Sequence, residues 1–294
     1  MAVLILHLWL AASPALAENE APPVEVVYKQ VVDAEGEPYD LRLHIFYPEG
    51  WSADDARPAI VFYFGGGWNG GQPEQFFPHC RDLAAHGMVA ISADYRVRSR
   101  HGTSPIACVE DGRSAIRYLR AHADELGIDV DRVIAGGGSA GGHVAAASAL
   151  CDDINDPADD AEVSATPNAL VLFNPVLDTS RQSGFGGNRL GDDHLRLSPV
   201  HRVSQGQPAS IVFHGDADRT VPISVARRFA EACEGVGARS ELVEYEGQPH
   251  GFFNHPAFRR GNDLSVYTDT IERTVTFLRS LDLLEPAEAD QPGD

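Results

Sequence analysis

Residues 24–30 (VEVVYKQ) and 41–47 (LRLHIFY) alternate apolar and polar side chains, the period of a strand with one buried face. Glu35-Gly-Glu-Pro38 lies between them as a turn, so the two read as an antiparallel pair at a sheet edge. The pattern then changes. Residues 59–64, 89–92, 132–135, 169–173 and 210–213 are short, nearly continuous apolar runs, as expected of strands covered on both faces, and 241–245 reads as a further strand. Between them, 74–86, 106–126, 140–150, 225–234 and 264–281 carry helical spacing. In the second of these, Ile106, Val109, Ala115, Ile116, Leu119 and Leu126 trace an apolar stripe with Asp, Arg and Glu opposite. Strand alternating with helix predicts an α/β chain whose mostly parallel sheet is covered by helices on both sides.

Neither a repeat nor a linker divides the chain, so residues 18–284 read as one domain. Two segments interrupt the alternation. Residues 152–168 are acidic and contain proline, and predict a solvated excursion. Residues 178–208, with Ser183-Gly-Phe-Gly-Gly187, are longer than a usual connection and predict a lid or substrate-contacting insertion between strands 6 and 7. The tail 285–294, rich in Glu, Asp and Pro, predicts disorder.

The first twelve residues form a short apolar core, and Ala15-Leu-Ala17 supplies small residues at the spacing a signal peptidase needs. The run is too short to span a bilayer and predicts a secretory signal cut after Ala17, hence a secreted or periplasmic protein. No other apolar stretch reaches membrane-spanning length. The 23 basic and 43 acidic residues leave a net charge of −20, which repels phosphate backbones and argues against a nucleic-acid partner. Export places Cys80, Cys108, Cys151 and Cys233 where disulfides persist, and four cysteines allow three full pairings. A single bridge would join Cys80 to Cys108, near helix ends that flank one strand.

Two glycine clusters carry the candidate chemistry. Arg132-Val-Ile-Ala-Gly-Gly-Gly-Ser-Ala-Gly-Gly-His143 sets Gly137-x-Ser139-x-Gly141 between a predicted strand and a predicted helix. A serine on that sharp turn is raised above the sheet, and bare neighbours let strand and helix approach, which marks Ser139 as a candidate nucleophile. Its hydroxyl needs a base and a carboxylate to orient that base. His214-Gly-Asp-Ala-Asp-Arg-Thr-Val-Pro222 and Gln248-Pro-His-Gly-Phe-Phe253 each follow a strand, where open α/β sheets place their sites. Asp218, just before the next helix, is preferred to Asp216 as the acid, and His250, after the last predicted strand, is preferred as the base. His143, one helical turn past Ser139, and His214 read as structural. Asp94 and Arg96 are expected to share a polar contact near the site.

The other cluster, Phe64-Gly-Gly-Gly-Trp-Asn-Gly-Gly71, follows the third strand. An oxyanion formed at Ser139 needs backbone N–H donors, and Gly66, Gly67 and Ala140 are the candidates. Trp68 and Phe252 are candidates for the acyl pocket or for stacking on sugar, or are plain wall. No Gly-Lys-Ser/Thr follows either cluster, and no Cys-x-x-Cys or His-Glu-x-x-His spacing occurs, so neither a phosphate cofactor nor a metal is implied.

These motifs, with Ala93-Asp-Tyr-Arg96, the stretch 121–129 (AHADELGID) and His250-Gly-Phe-Phe-Asn254, resemble the secreted α/β-hydrolase esterases related to the hormone-sensitive lipase family, particularly the acetyl xylan and feruloyl esterase-like (BD-FAE-like) branch. The likeness runs over about residues 41–281. It implies an α/β-hydrolase fold and a serine carboxylesterase that acts without a cofactor on short-chain or aromatic acyl esters. Acetyl or feruloyl groups on xylan-type polysaccharide, or small-molecule esters, are the substrates implied. The family commonly opens its oxyanion loop with His-Gly-Gly-Gly, and Phe64 stands in that histidine's place. A serine peptidase of the prolyl oligopeptidase type is the alternative enzyme, and a catalytically silent hydrolase-like binding protein the alternative outside enzymes.

Overall fold

The computed structural model describes residues 22–183 and 190–285. The signal segment, residues 286–294 of the tail, and residues 184–189 of the predicted insertion lie outside them. Eight strands, β1 (Val24–Val32), β2 (Pro38–Phe46), β3 (Arg57–Tyr63), β4 (Val89–Ala93), β5 (Ile128–Gly138), β6 (Ala169–Phe173), β7 (Ala209–Gly215) and β8 (Ser240–Tyr245), form one sheet in the order β1-β2-β4-β3-β5-β6-β7-β8. The β1–β2 and β2–β4 pairs are antiparallel and the rest parallel. The parallel sheet and antiparallel N-terminal pair expected from the sequence are both present.

The helices are α1 (Phe77–Ala85), α2 (Arg98–His101), α3 (Pro105–Ala121), α4 (Ala123–Leu126), α5 (Ala140–Leu150), α6 (Ile223–Gly235) and α7 (Leu264–Arg279). Side chains along β3 alternate between the two faces. Ala59, Val61 and Tyr63 pack with α3, α5 and α6, while Ile60 and Phe62 pack with α1 and α7. Two expected helices are interrupted. Residues 73–76 form a 3₁₀ turn, and the α-helix begins only at Phe77 with Pro78 in its first turn, where a missing N–H costs nothing. The helix expected over 106–126 breaks at His122, whose ring stacks on Tyr118 at 4.1 Å. Strand β5 runs three residues past the expected 135, through Gly136 to Gly138. A Cβ at Gly136 would lie 2.5 Å from Phe62 and one at Gly138 2.3 Å from Phe253, so bare backbone is what lets the strand continue between those rings.

Two expectations are corrected and a third is refined. All four cysteines are buried free thiols. Cys80 on α1 and Cys108 on α3 lie on opposite faces of the sheet, so no bridge can join them, and burial pushes the thiols up in pKa. The acidic segment 152–168 is mostly exposed, as expected of a solvated excursion, yet side-chain contacts tie it down. Asp159 pairs with Arg117 at 3.0 Å and Asp156 with Lys29 at 2.6 Å, Asn155 accepts from Arg113 and Arg117, and Ile154 is buried. Its acidic residues answer a row of cations on α3 and β1. Asp94 and Arg96 do not meet: Asp94 binds Arg100 at 2.7 Å, and Arg96 binds Asp111 at 2.8 Å.

Candidate active site

The parallel strands end in register, with Tyr63 beside Gly137, Gly138 beside Phe173, and Gly215 beside Tyr245. The loops that leave these ends therefore converge. Ser139, between β5 and α5, has φ 55° and ψ −118°, a conformation that L-residues rarely adopt. Its N–H donates to the Phe173 carbonyl at 2.9 Å, and its own carbonyl accepts from His143 at 3.0 Å and Val176 at 3.2 Å. A Cβ at Gly141 would sit 2.0 Å from the Tyr63 carbonyl oxygen, so glycine there sets how closely α5 approaches β3.

Asp218, His250 and Ser139 form one hydrogen-bonded chain. His250 Nδ1 lies 2.7 Å from Asp218 Oδ2, and His250 Nε2 lies 3.0 Å from Ser139 Oγ. The carboxylate must accept, so Nδ1 carries the proton and Nε2 is left to accept from the serine hydroxyl. Asp218 Oδ1 accepts from the Thr220 and Val221 N–H groups at 2.8 and 2.9 Å. The buried His214 ring donates from Nε2 to the Val221 carbonyl at 2.9 Å, and the same nitrogen is 3.4 Å from Asp218 Oδ2. Burial alone would raise the Asp218 carboxyl. The hydrogen bonds from His214, His250 and Val221 outweigh it and hold Asp218 well below the ordinary carboxylate range. Asp216 faces elsewhere, accepting from the Gly247 N–H at 2.6 Å. The Gly251 N–H donates to Asn174 Oδ1 at 2.9 Å, and Arg259 donates to the His250 carbonyl at 2.7 Å, fixing the histidine's backbone.

The loop after β3 lies across the same opening, and Gly65, Gly66, Gly67, Ser139 and His250 line one cavity of about 950 Å³. Phe64, in the place of the expected histidine, is fully buried and stacks on Tyr95 at 4.2 Å, while the Tyr95 hydroxyl donates to the Phe64 carbonyl at 2.6 Å. Gly66 (φ 138°) turns the chain so tightly that a Cβ would meet the Gly70 carbonyl oxygen at 2.1 Å. The Asn69 and Gly70 N–H groups both donate to the Gly66 carbonyl, at 3.1 and 3.2 Å. The Gly65 N–H is taken by Gln75 Oε1 at 2.7 Å, and the Gln75 amide in turn donates to Asn254 Oδ1 at 2.8 Å. One glutamine thus couples the glycine loop to the loop that carries His250. Ala140 opens α5 directly after Ser139, at a helix N-terminus whose first N–H groups have no partner within the helix.

Two proposed pocket residues are corrected. Trp68 does not line the cavity of Ser139: its indole N–H donates to His143 Nδ1 at 3.2 Å, which anchors the loop, and it borders a smaller neighbouring cavity with Gly66 and Gly67. The other nitrogen of His143 therefore carries the proton and donates to the Leu197 carbonyl at 2.7 Å, as fits the structural role expected of His143. Phe252 packs inward on Tyr245 at 4.9 Å, and its neighbour Phe253, with Phe258, lines the cavity instead. Sequence reasoning missed Gln75, Arg181, Phe253, Phe258 and Arg259 as cavity residues. Only Phe253 carried a signal, adjacency to His250, because a loop has no period to say which of two aromatics turns inward.

The eight-stranded sheet, with a Gly-x-Ser-x-Gly turn at its centre and the acid and histidine loops at the ends of β7 and β8, defines an α/β hydrolase. Comparison with known proteins carries this further. The BD-FAE family pattern matches residues 43–185, a stretch that includes Ser139 and stops short of Asp218 and His250. Esterase 2 of Thermogutta terrifontis, solved in a form phosphonylated by cyclosarin, superposes with a TM-score of 0.83 at 46% identity, over 90% of this chain and 96% of that one. Esterase LipC of Mycobacterium tuberculosis is 32% identical over 218 residues, 66% of this chain and 53% of LipC, so the chain spans about half the length of that relative. Carboxylesterase NlhH of the same species is 27% identical over 235 residues, covering 73% of this chain and 72% of NlhH. The chain belongs to the α/β-hydrolase esterases of the hormone-sensitive lipase type and carries a BD-FAE domain.

Proposed function

We propose that the protein is an exported serine carboxylesterase for short-chain or aromatic acyl esters, with acetyl or feruloyl groups on xylan-type polysaccharide as the natural substrates. The observation that carries the reading is the continuous chain from Asp218 through His250 to the Ser139 hydroxyl. In this mechanism His250 takes the proton from Ser139 as its oxygen attacks the ester carbonyl, and Asp218 steadies the imidazolium that forms. The oxyanion is held by the N–H groups of Gly66, Gly67 and Ala140. His250 gives the proton to the leaving alcohol, and water, activated by the same histidine, releases the acid from the acyl-enzyme. Thermogutta esterase 2 has been solved with propionate and with butyrate bound, and phosphorylated by paraoxon, which supports small acyl groups and sensitivity to organophosphates for this chain as well.

Wild type is expected to hydrolyse p-nitrophenyl butyrate and to release one equivalent of p-nitrophenol from paraoxon as it loses activity. Ser139→Ala is expected to lower kcat by about 10³-fold or more with an unchanged unfolding midpoint. Equal inactivity of both proteins on a broad ester and peptide panel defeats the proposal. Acid release from acetylated xylan, feruloylated arabinoxylan and simple esters, measured side by side, tests the polysaccharide reading separately.

A further inference from the structure

The cavity that holds Ser139 and His250 has no acidic side chain in its described wall, yet it has two arginines, Arg181 and Arg259. The chain as a whole carries 43 acidic and 23 basic residues, a net charge of −20. Its surface field repels anions, and the wall of this cavity has the opposite sign. Among the described residues neither guanidinium has a close, buried carboxylate partner. Among the described residues no carboxylate pairs with Arg259, whose Nη1 bonds the uncharged His250 carbonyl at 2.7 Å. Among the described residues the carboxylate that Arg181 reaches is Asp192, at 3.5 Å with both side chains exposed, an arrangement that contributes little and leaves the arginine able to turn toward a ligand. Arg259 already serves the neutral reaction by holding the His250 backbone, but that single bond leaves most of its donors free, and guanidinium groups match a carboxylate in shape and charge.

We infer that the substrate is an ester that also bears a carboxylate, held by Arg181 and Arg259 while its carbonyl meets Ser139. A half-ester of a dicarboxylic acid, or an acyl group on a uronate-bearing sugar, has this chemistry. The inference rests on the esterase reading and narrows its substrate class.

The test compares kcat/KM for matched pairs. On the acyl side the pair is mono-p-nitrophenyl adipate and its neutral counterpart p-nitrophenyl methyl adipate. On the alcohol side it is meta-acetoxybenzoate and meta-acetoxybenzamide. The anionic member of at least one pair is expected to be favoured roughly three- to tenfold at low salt, and the pair that shows it says which side of the ester carries the charge. The advantage is expected to vanish near about 0.5 M NaCl. It is also expected to fall in Arg181→Met and Arg259→Met and to return in Arg259→Lys, even where the Arg259 variants lose overall rate through the His250 contact. Equal or poorer turnover of both anionic esters at low salt, or a preference that survives salt and both methionine variants, overturns the inference and leaves the esterase reading standing. Failure to cleave any of the four compounds overturns the inference alone where p-nitrophenyl butyrate is still cleaved, and both readings where it is not.

Discussion

Ser139, Asp218 and His250 were legible as candidates because each stands in a short motif that directly follows a strand, and strand ends are where an α/β sheet gathers its loops. The residues that shape the cavity were not legible in the same way. Trp68 and Phe252 are aromatic and adjacent to the motifs, yet both turn inward, and nothing in a loop's sequence fixes that direction. Gln75 is an ordinary amide in a short turn until the fold brings Asn254 to it from 179 residues away. The Gln75 side chain holds the Gly65 N–H on one side and Asn254 on the other, so it sets the attitude of the neighbouring Gly66 and Gly67 N–H groups toward the proposed oxyanion. Gln75→Ala is expected to lower kcat about tenfold with a smaller change in KM, because a misaimed donor weakens transition-state binding more than substrate binding. Steady-state kinetics on p-nitrophenyl butyrate check this, and a loss confined to KM contradicts it.

At the level of elements, apolar runs and helical stripes located every strand and all the long helices, since burial on both faces leaves a clear mark on composition. What the pattern could not supply was how closely elements approach. The Gly136 to Gly142 stretch reads equally as a flexible loop, but its bareness is a matter of clearance between β3, β5 and α5. Gly141→Ala places a methyl against two backbone oxygens, 2.0 Å from Tyr63 and 2.4 Å from Phe64, which cannot swing aside as a side chain could. A loss of about 3 kcal/mol in urea unfolding is expected, at the upper end of overpacking effects. Gly235→Ala, at the end of α6 with nothing within 4 Å of the new methyl, is the control and is expected to be neutral or stabilising by about 0.5 kcal/mol. Equal behaviour of the two variants would mean that α5 has room to move.

Across the whole molecule, the sheet order and the separation of the cysteines onto two faces follow from pairings between distant strands, which no local pattern records. The same two-faced core buries histidines on both sides. His79, on α1, is fully buried among the rings of Phe62, Phe76, Phe173 and Tyr267, and burial pulls its pKa down from 6.5 to about 3. His143, on α5, is fully buried between Trp68 and the Leu197 carbonyl, and burial takes it from 6.5 to about 4. Both folded values lie below the unfolded one, so the unfolded chain binds more protons and stability falls as pH drops below about 6.5. Each histidine contributes up to about 1.4 kcal/mol per pH unit in that range. Asp218, held low, keeps its charge there and adds no slope. Acidification also brings the net charge of −20 toward zero, near the pI of about 4.9, and relieves self-repulsion. That opposing effect is spread over the surface and screened by salt, whereas the buried rings are not. At about 0.2 M salt, urea unfolding is therefore expected to weaken by about 2 to 4 kcal/mol from pH 6.5 to pH 5. Burial lowers His101 in the same direction, so His79→Phe, which keeps an aromatic ring in an aromatic cage and removes its titration, is expected to reduce that slope without abolishing it. A flat profile in wild type, or an unaltered slope in the variant, would assign acid stability to the surface charge instead.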